Sequence, residues 1–571
     1  MTLAWQQVSR LRQRQSGPLI LELDVTDGIG EGPVTDPVSV IMSRRKIRLP
    51  DVIEGLRRAR HDDRVRALVV KVGGGRIGLA RIQEIREAVS DFRQSGKLTV
   101  AWAETFGEFT QGNVPYYLAT AFDRIYLQPS GTLGLTGIAV EQLFLHDALA
   151  RIGVDFQSAK RYEYKSAADN LTERGFTPAA REASERLAVS IAEQISAAIA
   201  ERRGKTAEQA RALLDRGPFL AADALAEGLV DALGYRDEVY ADVRKEAGPD
   251  ATLQYVARYQ RGHVLAQRAR QLPRRHERFV AVIYASGPIR QGRSTRTPVG
   301  GSAMGSDTVA AALRSALADE RARAVLLRVN SPGGSATASD TIWREVVRLR
   351  AAGKPVVVSM SDVAASGGYF ISAPADVIVA QPGTITGSIG VIMGKPVLAG
   401  ALERVGITTD SVTVGSGATM LAPTHPFTED EWNRINSWLD AIYQDFIGKV
   451  ASGRRMPVER VHEVARGRVW TGADAAQNGL VDELGGMQAA VEIARRRAGL
   501  PADAPLRVYP RLTPLDQLRP PSSSESRPAA AAFDLGFADG FSGWGPAWRL
   551  AARAGLPPYG PLMLPGRWTI N

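Results

Sequence analysis

Two short segments carry residue types suited to acyl transfer. In AASGGYF, Ser366 is followed at once by Gly367 and Gly368; in NSPGGSATASD, Gly333 and Gly334 follow a strand-like run. A serine opening a helix is more often a cap than a nucleophile. The two glycines behind it, however, cost a helix roughly 1 kcal/mol each, which makes sense where a substrate backbone must pass over the turn. Adjacent glycines let a backbone come close and turn N–H groups outward. Gly334 and Gly367, with Gly333 beside them, are therefore candidate oxyanion-hole donors of the kind acyl transfer requires.

A serine hydroxyl needs a base. The chain contains 6 His, namely His61, His146, His263, His276, His425 and His462. Of these His425, in LAPTHPF, is the best placed. A lysine can serve if its pKa falls from about 10.4 to near 7–8, a shift of about 4 kcal/mol that demands burial. Lys165 in YEYKSAAD is flanked by Tyr162 and Tyr164, consistent with a partly apolar setting; Lys160 and Lys395 are its rivals. Spacing alone does not choose among the three. With no Cys in the chain, a thiol nucleophile, a disulfide framework and thiolate metal sites are excluded.

The elements that must position these groups come in two copies. RVRALVVKV (64–72) matches RARAVLLRV (321–329), 321 − 64 = 257, and Gly96–Lys97 matches Gly353–Lys354 at the same offset. DALAEGLVDALG (223–234) matches DAAQNGLVDELG (474–485), 474 − 223 = 251. A repeat this long means one ancestral fold used twice. The copies disagree at two positions of a 253 offset: Ser366 faces Asn113 (366 − 113 = 253), and Lys165 faces Ala418 (418 − 165 = 253). A nucleophile in one copy and a candidate base in the other is the pattern a shared Ser–Lys site would leave.

Each copy opens on a strand, 19–29 or 279–289, and continues with buried strands at 66–72 or 323–329. Helices at 79–95 or 339–352 follow, then the strands KLTVAW or KPVVVSM, the latter leading through a loop SDVAA to Ser366. A long helix closes each copy, 178–203 or 428–451. Short apolar strands alternating with helices predict a parallel sheet covered by helices.

The rest of the composition is that of an ordinary globular protein, with 44% hydrophobic and 23% charged residues. The net charge of +10 comes almost wholly from Arg. The first 18 residues carry three Arg but no apolar core, so no signal peptide is expected. Without a run of 18 apolar residues no spanning helix is expected either. Residues 245–278 read as an Arg-rich linker, seven Arg between Arg258 and Arg278 against one acid, Glu277. From about 506 the chain turns Pro- and Ser-rich, which predicts partial disorder. Its aromatic end (Trp544, Trp548, Tyr559, Trp568) also suits a membrane interface.

Taken together, NSPGGSATAS, AASGGYFISAPAD, TGSIG, YEYKSA and the paired GLVD segments resemble the signal peptide peptidase A (protease IV) family in its long tandem form, over roughly residues 19–500. The resemblance implies an α/β architecture of two tandem ClpP/crotonase-like domains, 19–244 and 279–505, between a basic segment (1–18), the linker (245–278) and a tail (506–571). It implies a serine endopeptidase that cleaves hydrophobic peptides such as signal-peptide remnants, without cofactor or metal. Ser366 would be the nucleophile, Lys165 the base and Ser388, in TGSIG, the residue that hydrogen-bonds the lysine. Lys395 has no counterpart role in that family. A homo-oligomer, a tetramer in the family, and peripheral membrane association or else a cytoplasmic location are implied as well, with no nucleic-acid partner. Long members often begin with a spanning anchor, and the aromatic tail is not part of the family pattern. Two other classes fit the fold: an acyl-CoA lyase, which would want a carboxylate pair near the hole, and a non-catalytic peptide-binding scaffold.

Overall fold

The structure is a computed structural model that describes residues 17–32, 47–74, 77–108, 110–270, 277–297, 301–509, 532–533 and 562–563. Most of the basic N-terminal segment and the aromatic residues Trp544, Trp548, Tyr559 and Trp568 lie outside the described residues. The chain forms two compact units, one from Met1–Ala139 with Val189–His276, the other from Val140–Ala188 with Glu277–Ile570.

Both units are built on the same parallel sheet. In the first, the strand order is Ala232–Leu233, Arg124–Leu127, Leu98–Ala103, Val65–Lys71, Leu19–Asp24 and Thr252–Tyr255. The second runs Glu483–Leu484, Val377–Ala380, Val356–Ala365, Ala322–Ser331, Phe279–Ser286 and Leu506–Tyr509. These are the two α/β copies expected from the repeat, and their central strands are buried on both faces, as Ile20, Leu68, Val100, Val282, Leu326 and Val357 show.

Matching residues solve matching problems in each sheet. Lys97 Nζ donates to the carbonyls of Ala59, Arg60 and Asp62, which end the helix Leu49–Ala59, at 2.7, 3.1 and 2.7 Å. Lys354 Nζ does the same for Ala316, Leu317 and Asp319 at the end of Ser306–Ala318, at 2.9, 2.7 and 2.8 Å. A cation on the last carbonyls of a helix satisfies orphan acceptors and meets the negative end of its dipole. The GLVD aspartates accept from the amide of an adjoining strand, Ile125 N to Asp231 and Ile378 N to Asp482, both at 2.7 Å. Tyr116 and Tyr369 hydroxyls donate to Leu229 O and Leu480 O at 2.7 and 2.9 Å.

Three departures from the sequence reading have local causes. The units do not divide where the repeats do. The strand Asp155–Arg161 pairs antiparallel with Val391–Val397, from Arg161 opposite Val391 to Asp155 opposite Val397, and a strand follows its backbone partners. Residues 140–188, the first copy's by descent, thus pack in the second unit. Second, the Arg-rich stretch 245–278 is more than a linker: Thr252–Tyr255 is a strand of the first sheet, beside Leu19–Asp24, and Val256–Arg270 is a helix with Val256 and Tyr259 buried. Third, SDVAA is strand, not loop. Val356–Ala365 continues up to Ser366 because Val363–Ala365 pairs with Ile385–Gly387.

Replacing Lys354 by Ala should destabilise the second unit by about 1–3 kcal/mol, the loss of charge-assisted bonds to carbonyls left unpaired. Lys97→Ala should do the same to the first, and denaturant unfolding followed in each variant would show whether either change is silent.

Candidate active site

The strand Val356–Ala365 delivers Ser366 to the start of the helix Gly367–Ser372. Ser366 sits at φ 54° and ψ −114°, a conformation that L residues other than glycine rarely adopt and that costs of order 1–3 kcal/mol. Its amide donates to Gly387 O, and its carbonyl accepts from Phe370 N, both at 2.8 Å. The turn therefore holds the hydroxyl at a fixed angle between the sheet and the TGSIG segment.

Lys165, Ser366 and Ser388 all lie in the second unit, and all are fully buried. Lys165 Nζ is 2.8 Å from Ser366 Oγ, 3.0 Å from Ser388 Oγ and 3.0 Å from Ser388 O. Ser388 is itself left-handed, φ 51°, with its amide donating to Arg468 O at 2.6 Å. Burial holds the Lys165 amine well below the usual lysine range, because desolvation disfavours the ammonium and, among the described residues, no carboxylate faces it.

The tyrosines beside Lys165 do not supply that burial. Tyr162 is 36% exposed and packs on Tyr443 and His462 instead. Glycines pack tightly against the Lys165 backbone. A Cβ on Gly467 would stand 2.5 Å from Lys165 N and 2.6 Å from Lys165 Cβ, and one on Gly390 would stand 2.7 Å from Gly467 Cα. Sequence reasoning missed Gly467, which sits between two arginines with no motif to mark it; Gly390 was visible only as the last residue of TGSIG. Salt bridges then fix the segment carrying Lys165: Arg186 to Asp474 at 2.9 Å, Arg161 to Asp440 at 2.5 Å, and Arg468 to Glu182 at 2.6 Å.

The rival bases are occupied elsewhere. Lys160 pairs with Asp169 at 2.6 Å. Lys395 donates to Met420 O and Ala422 O at 2.8 and 2.9 Å and lies over the Phe427 ring. His425 lies partly buried in the turn-rich segment before Thr428, and His462 Nδ1 is 2.9 Å from the Tyr443 hydroxyl.

Gly333, Gly334 and Gly367 come side by side. A Cβ on Gly367 would lie 2.8 Å from Ser339 Oγ, 3.1 Å from Gly333 Cα and 3.2 Å from Gly334 N, so any larger residue would have to push these neighbours apart. Gly333 donates its own N–H to Ser331 Oγ at 3.2 Å, which commits that amide to the turn. In the first unit the same place is filled differently: Asn113 Nδ2 donates to Gly137 O at 2.8 Å, and its Oδ1 accepts from Thr136 N at 3.2 Å. That amide ties down its loop and offers no nucleophile.

A buried hydroxyl against an amine whose pKa burial lowers, beside two close-packed glycines, is an arrangement suited to acyl transfer. The profile of peptidase family S49 matches residues 91–250 and 348–501, more than half of the chain. The chain belongs to peptidase family S49. It is similar to the chloroplastic serine protease SPPA of Arabidopsis thaliana, 32% identical over 80% of this chain and 66% of that one, about two thirds of its length. Protease 4 of Salmonella typhi is 34% identical over 79% of this chain and 72% of its own, and Protease 4 of Haemophilus influenzae 32% identical over 79% and 73%. Among solved structures, ClpP1 of Listeria monocytogenes aligns with 37% of this chain and 94% of its own at 13% identity and a TM-score of 0.23. Membership of S49 makes this chain a serine peptidase, a hydrolase, and sets aside the lyase and scaffold alternatives. Among the described residues, no helix is long and apolar enough to cross a membrane.

The lowered pKa of Lys165 has a sign for stability. The unfolded chain binds the lysine proton up to about pH 10.4, the native state only to its lowered value, so stability rises with pH between the two. Lys165→Met removes the penalty. Its unfolding free energy should exceed that of the parent most below the lowered pKa, and the gap should close as pH approaches about 10. A gap independent of pH would show that Lys165 is not held neutral.

Proposed function

We propose that this S49 peptidase cleaves peptide bonds with Ser366 as nucleophile and Lys165 as general base, positioned by Ser388. One observation carries the reading: the buried Lys165 Nζ lies within hydrogen-bond reach of the Ser366 hydroxyl and of both oxygens of Ser388. In the neutral amine this reading requires, two N–H groups serve Ser388 O and Ser388 Oγ, each at 3.0 Å, and the lone pair is left for the Ser366 hydroxyl at 2.8 Å.

The chemistry follows in two halves. Ser366 Oγ attacks the scissile carbonyl carbon while its proton passes to Lys165 Nζ, and the amides of Gly334 and Gly367 receive the developing oxyanion. The Lys165 ammonium returns the proton to the leaving amine, and an ester to Ser366 remains. Water, deprotonated by the again-neutral Lys165, hydrolyses that ester and restores the hydroxyl. Because the ammonium formed midway is buried without a counter-charge, Ser388 stabilises it through both oxygens.

The substrates proposed are hydrophobic peptides such as signal-peptide remnants, supported by the motifs shared with signal peptide peptidase A. Self-association and peripheral membrane contact are part of the same proposal. They are supported by apolar side chains left in solvent on two adjacent segments of the second unit: Leu143 and Ile152 on one, Val405, Ile407, Val412 and Val414 on the other. Val412→Asp with Val414→Asp should lower the sedimenting mass of the native protein and its recovery with anionic vesicles; a mass and recovery equal to the parent's would count against that face.

Ser366→Ala and Lys165→Ala should each abolish cleavage of a quenched apolar peptide, and the double variant should be scarcely worse, since the pair acts as one device. Ser388→Ala should cost less, on the order of 10–100-fold. In the parent, kcat/KM should rise as pH climbs through the lowered pKa of Lys165, because only the neutral amine accepts the proton. A fluorophosphonate should label Ser366. Near-parental turnover after Lys165→Ala, or a limb near pH 6.5 lost with His425, would move the base elsewhere.

A further inference from the structure

In the C-terminal region one described strand, Leu562–Met563, lies in the site itself. It pairs antiparallel with Gly333–Gly334, Leu562 opposite Gly334 and Met563 opposite Gly333. The other edge of the glycine pair is taken by Ile289, in parallel register with Gly334. Leu562 is wholly buried and belongs to the main core of the second unit; Met563 is partly exposed.

Its position relative to the glycines is close. A Cβ on Gly333 would stand 2.0 Å from the Leu562 carbonyl oxygen and 2.7 Å from Gly367 N, so the Leu562 carbonyl packs against Gly333, which in turn lies beside Gly367, the residue after Ser366. A free strand edge is a template for another extended chain. Peptide recognition by strand addition works this way, with main-chain bonds supplying affinity and alternate side chains specificity. An extended peptide attacked by Ser366 has to present a carbonyl to Gly334 and Gly367. Leu562 is paired with Gly334 along that edge.

Resting on the reading of Ser366 and Lys165 given above, we propose that Leu562–Met563 is an intramolecular occupant of the peptide-binding edge, which competes with substrate and marks a subsite for a large aliphatic side chain. Two features separate this from ordinary packing. The strand adds to the short glycine pair at the nucleophile, whereas the edge of the main sheet is closed by Leu506–Tyr509. And the buried member is an aliphatic residue with its carbonyl oxygen against Gly333. A tethered occupant acts at an effective concentration set by its linker, so no tight intrinsic affinity is needed.

The test compares the full chain with its Leu562→Asp and Leu562→Met variants. Leu562→Asp should raise both the rate of fluorophosphonate labelling and kcat/KM for a quenched peptide bearing Leu by about tenfold or more, with kcat within about twofold, as expected when a tethered competitor is released. Leu562→Met should stay near the parent. Labelling and kcat/KM unchanged or lowered in a folded Leu562→Asp variant would overturn the proposal. Should that variant fail to fold, a synthetic peptide PYGPLMLPG, the sequence of residues 558–566, provides the second arm: it should inhibit the parent chain competitively, and absence of inhibition overturns the proposal. Direct binding of a fluorescent form of this peptide to a Ser366→Ala chain needs no nucleophile. Binding that is stronger with Leu562→Asp added supports occupancy even if Ser366 proves unreactive, and so separates failure of this inference from failure of the catalytic reading.

Discussion

An amine buried without a counter-charge sets the terms for the rest of the second unit. Taking an ammonium out of water costs several kcal/mol even after relaxation, and a group so placed sheds its proton rather than bear that cost. Keeping Lys165 dry while leaving its lone pair usable requires close walls that carry no acid. Close backbone packing holds the residue in place, with Gly467 against the Lys165 backbone and Cβ and Gly390 against Gly467. Both approaches are too close for any Cβ.

That solution binds together distant parts of the chain. Lys165 must be held from a segment that the first repeat supplies, so Asp155–Arg161 adds to Val391–Val397, and arginines 161, 186 and 468 join 140–188 to helices and strands of the second copy. The left-handed backbone at Ser366 and Ser388 is tolerated because strand pairing on either side over-determines it. Strain here positions two hydroxyls on one nitrogen.

Duplication explains why such an arrangement was reachable. Each copy keeps the devices that make the sheet stable, the Lys97 and Lys354 helix clasps, the Asp231 and Asp482 strand caps, the Tyr116 and Tyr369 hydroxyl bonds. Stability requires these in both places. The proposed chemistry requires a serine in one, and where the second copy has Ser366 the first has Asn113, whose amide fastens a loop. The second copy has a serine hydroxyl within reach of Lys165.

Much of this was legible in one dimension. The offsets of the repeat, the periodicity of the strands and the Gly pairs after Ser366 and before Ser335 depend on local pattern and backbone freedom, which sequence expresses directly; hence the two parallel sheets and the nucleophile candidate were readable. The choice among Lys165, Lys160 and Lys395 was not readable from spacing, because a lysine becomes a base through desolvation, and desolvation is a sum over neighbours distant in sequence. Lys160 finds Asp169, Lys395 finds two carbonyls, and Lys165 finds the glycine at 467 and two serines beyond residue 360. The unit to which 140–188 belongs, and the seating of Leu562 on Gly334, were decided the same way. Backbone pairing between remote strands leaves no mark in the residues themselves, since every residue but proline carries the same N–H and C=O.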